Sequence, residues 1–173
     1  MVNKNYLNVY YYEGNAVKKI ENFIRRYKTN NYDIVVLCIG TNNSNGASLG
    51  SIVGSMLKDK GVLNVYGSLD TTINEENIIK SLFKIRLKHK EPFIIAVSSD
   101  LGDYDDIGSI IVKNEALSCE LLRSFKVGNL SIRGIVNKLD YEYLSQMEKV
   151  DLCSVYYMAK TISQGIRQAM NNI

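Results

Sequence analysis

Two hydrophobic patterns alternate along this chain. Short runs of consecutive apolar residues alternate with stretches in which apolar residues recur every three or four positions. The first pattern is typical of strands that are buried on both faces, and the second is typical of helices with one buried face. The clearest runs are Ile34–Ile39 and Phe93–Val97, and further strands are predicted at 62–66, 109–112 and 130–136. Residues 7–12 are expected to form a strand or an ordered N-terminal arm.

Helical spacing marks five segments. In chain order they are Val17–Tyr27, a helix opened by Ser48 that runs through Leu57, a long helix from Thr72 or Asn74 to Leu87, Tyr141–Val150, and Val155–Ala169. The weakly patterned residues 115–125 are interpreted as a loop with a helical turn. Strands and helices alternate over most of the chain, and this order predicts helices on both faces of a mainly parallel sheet.

The strand–loop–helix unit around Ile34–Leu57 is the predicted centre of any site, because ligands of open α/β sheets bind at the carboxyl ends of strands. Its loop, Thr41–Ala47, lacks the lysine and spacing of a nucleotide P-loop, and it also lacks the G-x-S-x-G of a nucleophile elbow. Ser48 is expected to cap the following helix, although the same helix end has amides that can hold an anion.

Composition places the chain among ordinary globular domains. It has 173 residues, 46% of them hydrophobic and 23% charged, with a net charge of +3. We therefore expect one domain over 1–173, no nucleic-acid partner and no membrane segment. No signal peptide is recognised, and Cys38, Cys119 and Cys153 are expected to be free thiols in the cytoplasm.

Candidate metal and histidine chemistry is sparse. The acidic residues Asp103, Asp105 and Asp106 follow a strand, but their spacing does not fit a calcium loop. The one histidine, His89, is predicted to lie in the exposed basic tail of the third helix, where positive charge complements the helix dipole. Without a second histidine, neither a catalytic triad nor a histidine-based metal site is expected, and no cofactor is predicted.

Four motifs identify a resemblance. They are CIGTNNSNGASLGSIVG at 38–54, VYGSLD at 65–70, PFIIAV at 92–97 and VGNLSIRGIVN at 127–137. In this order they resemble the YyaC family of proposed sporulation proteases, relatives of the germination protease. The likeness covers about 33–165 and leaves 1–32 as a less family-like strand and helix.

The resemblance implies a fold, a role and a location. The fold is a three-layer α/β/α sandwich with a mixed, mainly parallel sheet, shared with hydrogenase maturation proteases. The role is in endospore formation, in the cytoplasm of the forespore or the mother cell.

The chain departs from the family at the two acids to which catalysis is attributed. The family pattern Gly-Thr-Asp-Arg-Ser-Thr-Gly-Asp-Ser-Leu-Gly-Pro aligns with residues 40–51, so that its second Asp falls on Ala47. The family's Asp-Ala-Cys-Leu-Gly aligns with residues 98–102, which places the other acid on Ser98. Its Pro-Gly-Ala-Gly and Leu-Gln-Asn-Thr-Arg segments are also replaced, at 116–119 and 147–151.

These replacements predict lost proteolysis. Paired carboxylates act because one is held protonated while the other accepts a proton, and neither alanine nor serine titrates in that role. Asp100 lies two residues further along the predicted loop, up to about 7 Å of extended chain from the expected position. The expectation is a binding or regulatory protein with a peptide or protein partner.

The sequence also predicts a binding cleft and leaves two alternative functions open. The cleft is expected to be formed by Thr41, Asn42, Asn43, Ala47, Ser48, Ser98, Ser99 and Asp100. One alternative is an active peptidase with a rearranged site that uses Asp100 together with Asp70 or Asp103. The other is an anion or small-molecule binder at the helix end opened by Ser48.

Overall fold

The structure is a computed structural model that describes residues 5–28, 32–118, 126–139 and 143–170. Its strands are β1 (Tyr6–Tyr10), β2 (Ile34–Cys38), β3 (Val65–Tyr66), β4 (Phe93–Gly102), β5 (Ser109–Lys113) and β6 (Leu130–Lys138). Its helices are α1 (Ala16–Tyr27), α2 (Leu49–Asp59), α3 (Ile78–Lys88), α4 (Tyr143–Glu148) and α5 (Leu152–Met170). The strand–helix order predicted from the hydrophobic pattern is confirmed.

The strands form one mixed sheet in the order β1-β5-β6-β4-β2-β3. Strands β3, β2, β4 and β6 run parallel to one another, whereas β5 pairs antiparallel with both β6 and β1. The two long apolar runs lie side by side in β2 and β4, which are both interior strands, with Cys38 opposite Val97. Burial on both faces explains why Ile34–Cys38 and Phe93–Val97 have no charged or hydroxyl side chains. Strand β4 continues to Gly102, beyond the predicted end at Val97, so that the predicted loop over 98–102 is part of the strand.

Helices cover both faces of the sheet and give three layers. Alternate residues of β2, including Val36 and Cys38, join α1, α2 and α5 in the larger hydrophobic cluster. The opposite residues, Val35 and Leu37, join α3 in a smaller cluster. The predicted α/β/α sandwich is therefore confirmed.

Helix α2 lies unusually close to the strand that precedes it. A Cβ atom added to Gly50 would lie 2.7 Å from the carbonyl carbon of Ile39 and would overlap its oxygen. One turn later, a Cβ atom on Gly54 would overlap the carbonyl of Gly67. The two glycines let the helix backbone approach the end of the sheet where the strand–loop–helix unit turns.

The exposed position predicted for His89 is wrong. Its side chain is 4% exposed, with Nδ1 2.9 Å from an Asp33 carboxylate oxygen and Nε2 2.8 Å from the Tyr66 hydroxyl. The chain leaves the helical conformation at His89, whose backbone is extended. The ring therefore turns away from the basic helix face and meets partners on two other segments.

Other differences concern element ends. Helix α3 begins at Ile78 rather than at Thr72 or Asn74, because the residues before it form a turn in which the Asn74 amide donates to the Asn77 side chain at 3.0 Å. Strand β3 has two residues, Val65 and Tyr66, and is shorter than the strand expected over 62–66. The predicted loop at 115–125 lies largely outside the described residues.

The buried carboxylate of α1 gives a pH-dependence prediction. Glu21 is 6% exposed and accepts hydrogen bonds from Lys18 Nζ and Arg25 Nε, each at 2.9 Å. The hydrogen bond from Lys18, reinforced by Arg25, holds the pKa of Glu21 below its usual 4.5. A depressed carboxyl pKa stabilises the fold above the unfolded-state pKa, and this stabilisation is lost as the pH falls through the folded-state pKa.

We therefore expect Glu21→Gln to lower the melting temperature at pH 7, and the difference from wild type to shrink as the pH falls below about 4.5. Thermal unfolding followed by circular dichroism from pH 7 to pH 3 measures both temperatures. The matched control is Glu148→Gln on α4, because Glu148 is exposed and its substitution should leave the melting temperature unchanged at pH 7. A Glu21→Gln difference that stays constant across this range would contradict the assignment.

Candidate functional site

A cavity of about 280 Å³ opens at the carboxyl end of β2, where the sequence placed the site. Its walls come from three segments: the loop after β2, the turn before α3, and the end of α4. The lining residues are Ile39, Gly40, Thr41, Asn43, Ser44, Ala47, Asn74, Glu75, Glu76, Met147 and Glu148. We call this cavity the β2 cleft.

Backbone hydrogen bonds shape the loop wall of the β2 cleft. The Gly40 amide donates to the Ile73 carbonyl at 2.8 Å, and the Thr41 amide donates to the Ala47 carbonyl at 2.9 Å. A Cβ atom on Gly40 would lie 2.5 Å from that same Ala47 oxygen, so the closed loop needs a residue without a side chain there. The closed loop therefore explains the glycine at position 40.

Contacts to α4 close the other side of the loop. The Asn45 side-chain amide donates to the Val150 carbonyl at 3.0 Å. A Cβ atom on Gly46 would lie 2.8 Å from both the carbonyl oxygen and the sulfur of Met147. The loop and the end of α4 thus form one continuous rim.

The two positions at which the family resemblance places catalytic acids hold no carboxylate. Ala47 is 6% exposed and lines the β2 cleft. Ser98 is fully buried, and its hydroxyl donates to the Ser99 carbonyl at 2.8 Å. Ser98 is not among the described residues that line the β2 cleft.

Asp100 is engaged in an ion pair. One carboxylate oxygen accepts a hydrogen bond from Arg133 Nη1 at 2.8 Å, and the other accepts from the Leu101 amide at 3.0 Å. The Asp100 and Arg133 side chains are 14% and 21% exposed, and they come from the neighbouring parallel strands β4 and β6. Asp100, too, is outside the set of described residues that line the β2 cleft.

The remaining predicted cleft residues divide into two groups. Thr41 and Asn43 line the cavity, as Ala47 does. Asn42 is exposed, with its amide 3.5 Å from the Leu69 carbonyl, and Ser99 is fully buried with no hydrogen-bond partner for its hydroxyl among the described residues. That these side chains bind a ligand stays a prediction.

The expected capping role of Ser48 is wrong. Its hydroxyl donates to the Asn45 carbonyl at 2.7 Å and makes no capping bond to α2. Residues 46–48 form a short 3-10 turn that runs directly into the helix, and Ser48 itself has helical backbone angles. The hydroxyl is therefore committed to the turn that precedes the helix.

Several cleft residues were missed by the sequence analysis. Glu75, Glu76 and Glu148 are exposed and bring carboxylates to the rim, and Met147 adds a buried apolar wall. They lie on segments that are far from the loop in sequence, and no spacing connects them to it. The only available signal was that 147–151 aligns with a family segment that this chain does not keep.

The chemistry of the β2 cleft suits a peptide better than a metal ion. Thr41, Asn43 and Ser44 offer hydroxyl and amide groups, which pair with peptide groups, beside the apolar Ile39 and Met147. Within the four described ranges, no three His, Cys, Asp or Glu side chains are grouped so that they could hold a metal ion. In the same ranges, no helix combines the length and apolar character needed to cross a membrane.

The buried thiol at the end of β2 is unreactive at neutral pH. Cys38 ends β2 and is fully buried, and this burial raises its pKa to about 12. The thiol therefore stays protonated at neutral pH, and a protonated thiol is a poor nucleophile. Cys153 is a free, exposed thiol on α5, and Cys119 lies outside the described residues.

Comparison with known proteins identifies a family, a relative and a similar fold. A family model described as "Protein of unknown function (DUF1256)" matches residues 8–165, a range that includes most of β1 and all of α1. The "Uncharacterized protein YyaC" of Bacillus subtilis strain 168 is 34% identical over 138 residues, which are 77% of this chain and 67% of that protein.

The third match is structural. The [NiFe] hydrogenase maturation protease HycI from Thermococcus kodakarensis KOD1 has a TM-score of 0.54 at 12% identity. The match covers 89% of this chain and 99% of that structure. At this identity the likeness shows the protease-like fold alone.

Proposed function

We propose a function from the premise that this chain belongs to the DUF1256 family, whose model spans most of its length. The proposed function is that of a sporulation-associated binding protein with a protease-like fold and no proteolytic activity. In this proposal, the β2 cleft binds an extended segment of a peptide or protein partner. The partner is held and not cut.

One observation carries the proposed loss of proteolysis. Ala47 stands in the wall of the β2 cleft where the family resemblance places one acid, and Ser98, at the other acid position, is buried with its hydroxyl bonded to the backbone. General acid–base hydrolysis needs a titrating group within hydrogen-bond reach of the substrate. Neither side chain supplies one.

Asp100 is a poor replacement for the missing acids. The guanidinium of Arg133 donates a hydrogen bond to one of its carboxylate oxygens, and the Leu101 amide donates to the other. Asp70 and Asp103, the partners considered for a rearranged acid pair, are both exposed, and neither lies in the described lining of the β2 cleft.

The proposed place of action is endospore formation. This assignment rests on the sequence resemblance to the family of sporulation proteases, and the cytoplasm of the forespore or the mother cell is the corresponding location. Small acid-soluble spore proteins therefore serve as the probe for both cleavage and binding.

A binding assay and a cleavage assay test the proposal together. We expect small acid-soluble spore proteins to stay intact after prolonged incubation with the purified protein, as followed by mass spectrometry. We also expect them to bind, and Thr41→Arg to weaken binding by about tenfold or more, because the new side chain fills a cavity of 280 Å³. Isothermal titration calorimetry measures the affinity.

Thr71→Arg is the matched control, because Thr71 is exposed and lies outside the described lining of the cleft. It should leave binding unchanged. Specific cleavage that disappears in Asp100→Ala, while circular dichroism shows that this variant is still folded, would establish the rearranged peptidase instead.

A second peptidase arrangement has one supporting observation, which is the three glutamates at the rim of the β2 cleft. Cleavage that disappears in Glu76→Gln or Glu148→Gln, and persists in Asp100→Ala, would assign the chemistry to this rim. If the wild-type protein and all three variants leave the spore proteins intact, the result supports the binding function.

A further inference from the structure

Helix α3 has two apolar rows, and only one of them faces the sheet. Ile78, Leu82 and Ile85 pack into the smaller hydrophobic cluster. The second row, Ile79, Phe83 and Leu87, points outward, and these side chains are 61%, 64% and 72% exposed. We call this second row the α3 ridge.

The α3 ridge has the geometry of a helix-packing surface. Its residues are four positions apart, so they follow one line along the helix for about 12 Å. Rows at this spacing are the ridges that fit into the grooves of a second helix. Single exposed apolar residues are common, but three large ones in line form a patch of the kind that marks interaction sites.

A row of positive charge runs beside the α3 ridge. Lys80, Lys84 and Lys88 each follow a ridge residue by one position, and all three are exposed. Arg86 is exposed on the other side of the ridge. Within the described part of the chain, none of these four side chains has a carboxylate within ion-pair distance.

We propose that the α3 ridge is the docking site for an amphipathic helix of a partner protein that carries acidic residues beside its apolar stripe. Burial of Ile79, Phe83 and Leu87 supplies the apolar contact, and the partner's carboxylates meet the lysine row. Charge at such a rim adds orientation and association rate more than affinity.

The charges beside the α3 ridge favour an acidic partner helix over a second copy of the chain. If two α3 ridges met in antiparallel orientation around a twofold axis, the lysine row of one helix would face the lysine row of the other. In the parallel arrangement, the lysine row would face Arg86 of the other copy. Either arrangement places like charges opposite each other, which is unfavourable.

The docking proposal does not depend on the chemistry of the β2 cleft. Ile79, Phe83 and Leu87 are all outside the described lining of that cavity. If the β2 cleft proved to be proteolytic, the docking proposal would be unaffected. If the α3 ridge bound no helix, the proposed peptide binding in the β2 cleft would be unaffected.

Two designed helical peptides of about 18 residues test the proposal. Both carry leucines at i, i+4 and i+8, flanked by glutamates in one peptide and by lysines in the other. We expect the glutamate peptide to bind the full chain in a fluorescence anisotropy assay, and about 0.5 M salt to weaken it. We expect Phe83→Ser to weaken binding by about tenfold or more, and the lysine peptide not to bind.

Tyr104→Ser is the matched control, because Tyr104 is an aromatic residue, 77% exposed, between β4 and β5. It should leave peptide binding unchanged, and Phe83→Ser should leave the melting temperature unchanged. Failure of the glutamate peptide to bind, or equal binding of the two peptides, overturns the proposal.

Three further results would assign the α3 ridge to another occupant and overturn the proposal in the same way. One is a dimer in analytical ultracentrifugation that Phe83→Ser dissociates. Another is binding to phosphatidylglycerol vesicles that Phe83→Ser abolishes. The last is a melting temperature that falls by several degrees in Phe83→Ser, since this would place the ridge against the chain itself.

Discussion

Gly50→Ala is expected to reduce the free energy of unfolding by about 3 kcal/mol. Alanine normally stabilises a helix interior relative to glycine by about 1 kcal/mol, so the expected sign is reversed. The reason is that the new methyl group would overlap the backbone of Ile39, at the end of a strand paired on both sides. Relief requires α2 to move away from the sheet. Urea denaturation followed by circular dichroism measures the change.

Gly14→Ala is the control for this substitution, because a Cβ atom at Gly14 would meet no other atom within 4 Å. Its expected effect is within about 0.5 kcal/mol of zero. A Gly50→Ala midpoint that matches wild type would show that α2 sits further from the strand than its backbone contacts indicate.

The second large effect concerns the ion pair between β4 and β6. We expect Asp100→Ala to cost about 2–3 kcal/mol, because it leaves the guanidinium of Arg133, only 21% exposed, without the carboxylate that it bonds at 2.8 Å. When Arg133→Met is already present, the same substitution should cost less. A double-mutant cycle from urea denaturation should give a coupling energy of about 1–2 kcal/mol.

The cycle separates a structural Asp100 from a catalytic one. Strong coupling means that the carboxylate is used to hold two strands together. If the two substitutions proved additive, the ion pair would contribute nothing to the fold, and Asp100 would be available for the chemistry of a rearranged site.

The central elements of the fold followed directly from sequence. Ile34–Cys38 and Phe93–Val97 contain consecutive β-branched and apolar residues with no polar alternation, and such runs fit the buried centre of a sheet. The position of β5 between β1 and β6 had no local signal, because strand order depends on contacts between distant segments. The hydrophobic pattern alone predicted a mainly parallel sheet, and the family resemblance added the expectation that the sheet is mixed.

Helix α3 shows where hydrophobic patterning becomes ambiguous. Its apolar positions form two rows one residue apart, and periodicity does not say which row faces the sheet. His89 was misplaced for a related reason. A run of basic residues indicates an exposed face, but the partners of the imidazole, Asp33 and Tyr66, lie 56 and 23 residues away.

The candidate site was predicted in part. The loop after β2 was recognised because Gly40 ends an apolar run and a polar segment follows, which is the pattern of a strand end. The glutamates of the other walls went unrecognised because they lie on exposed segments with no pattern of their own. Ser48 is also a typical capping residue, yet a 3-10 turn before the helix uses its hydroxyl instead.

Helices α1 and α5 are joined side by side, although they come from opposite ends of the sequence. Arg25 donates to the Gln168 carbonyl at 2.6 Å, and Lys28 donates to the Ala169 carbonyl at 2.7 Å. During synthesis, Ile20 and Ile24 cannot pack against α5 until α5 has left the ribosome. This layer therefore closes only after translation of α5, and a nascent chain halted before that point keeps an apolar face within reach of chaperones.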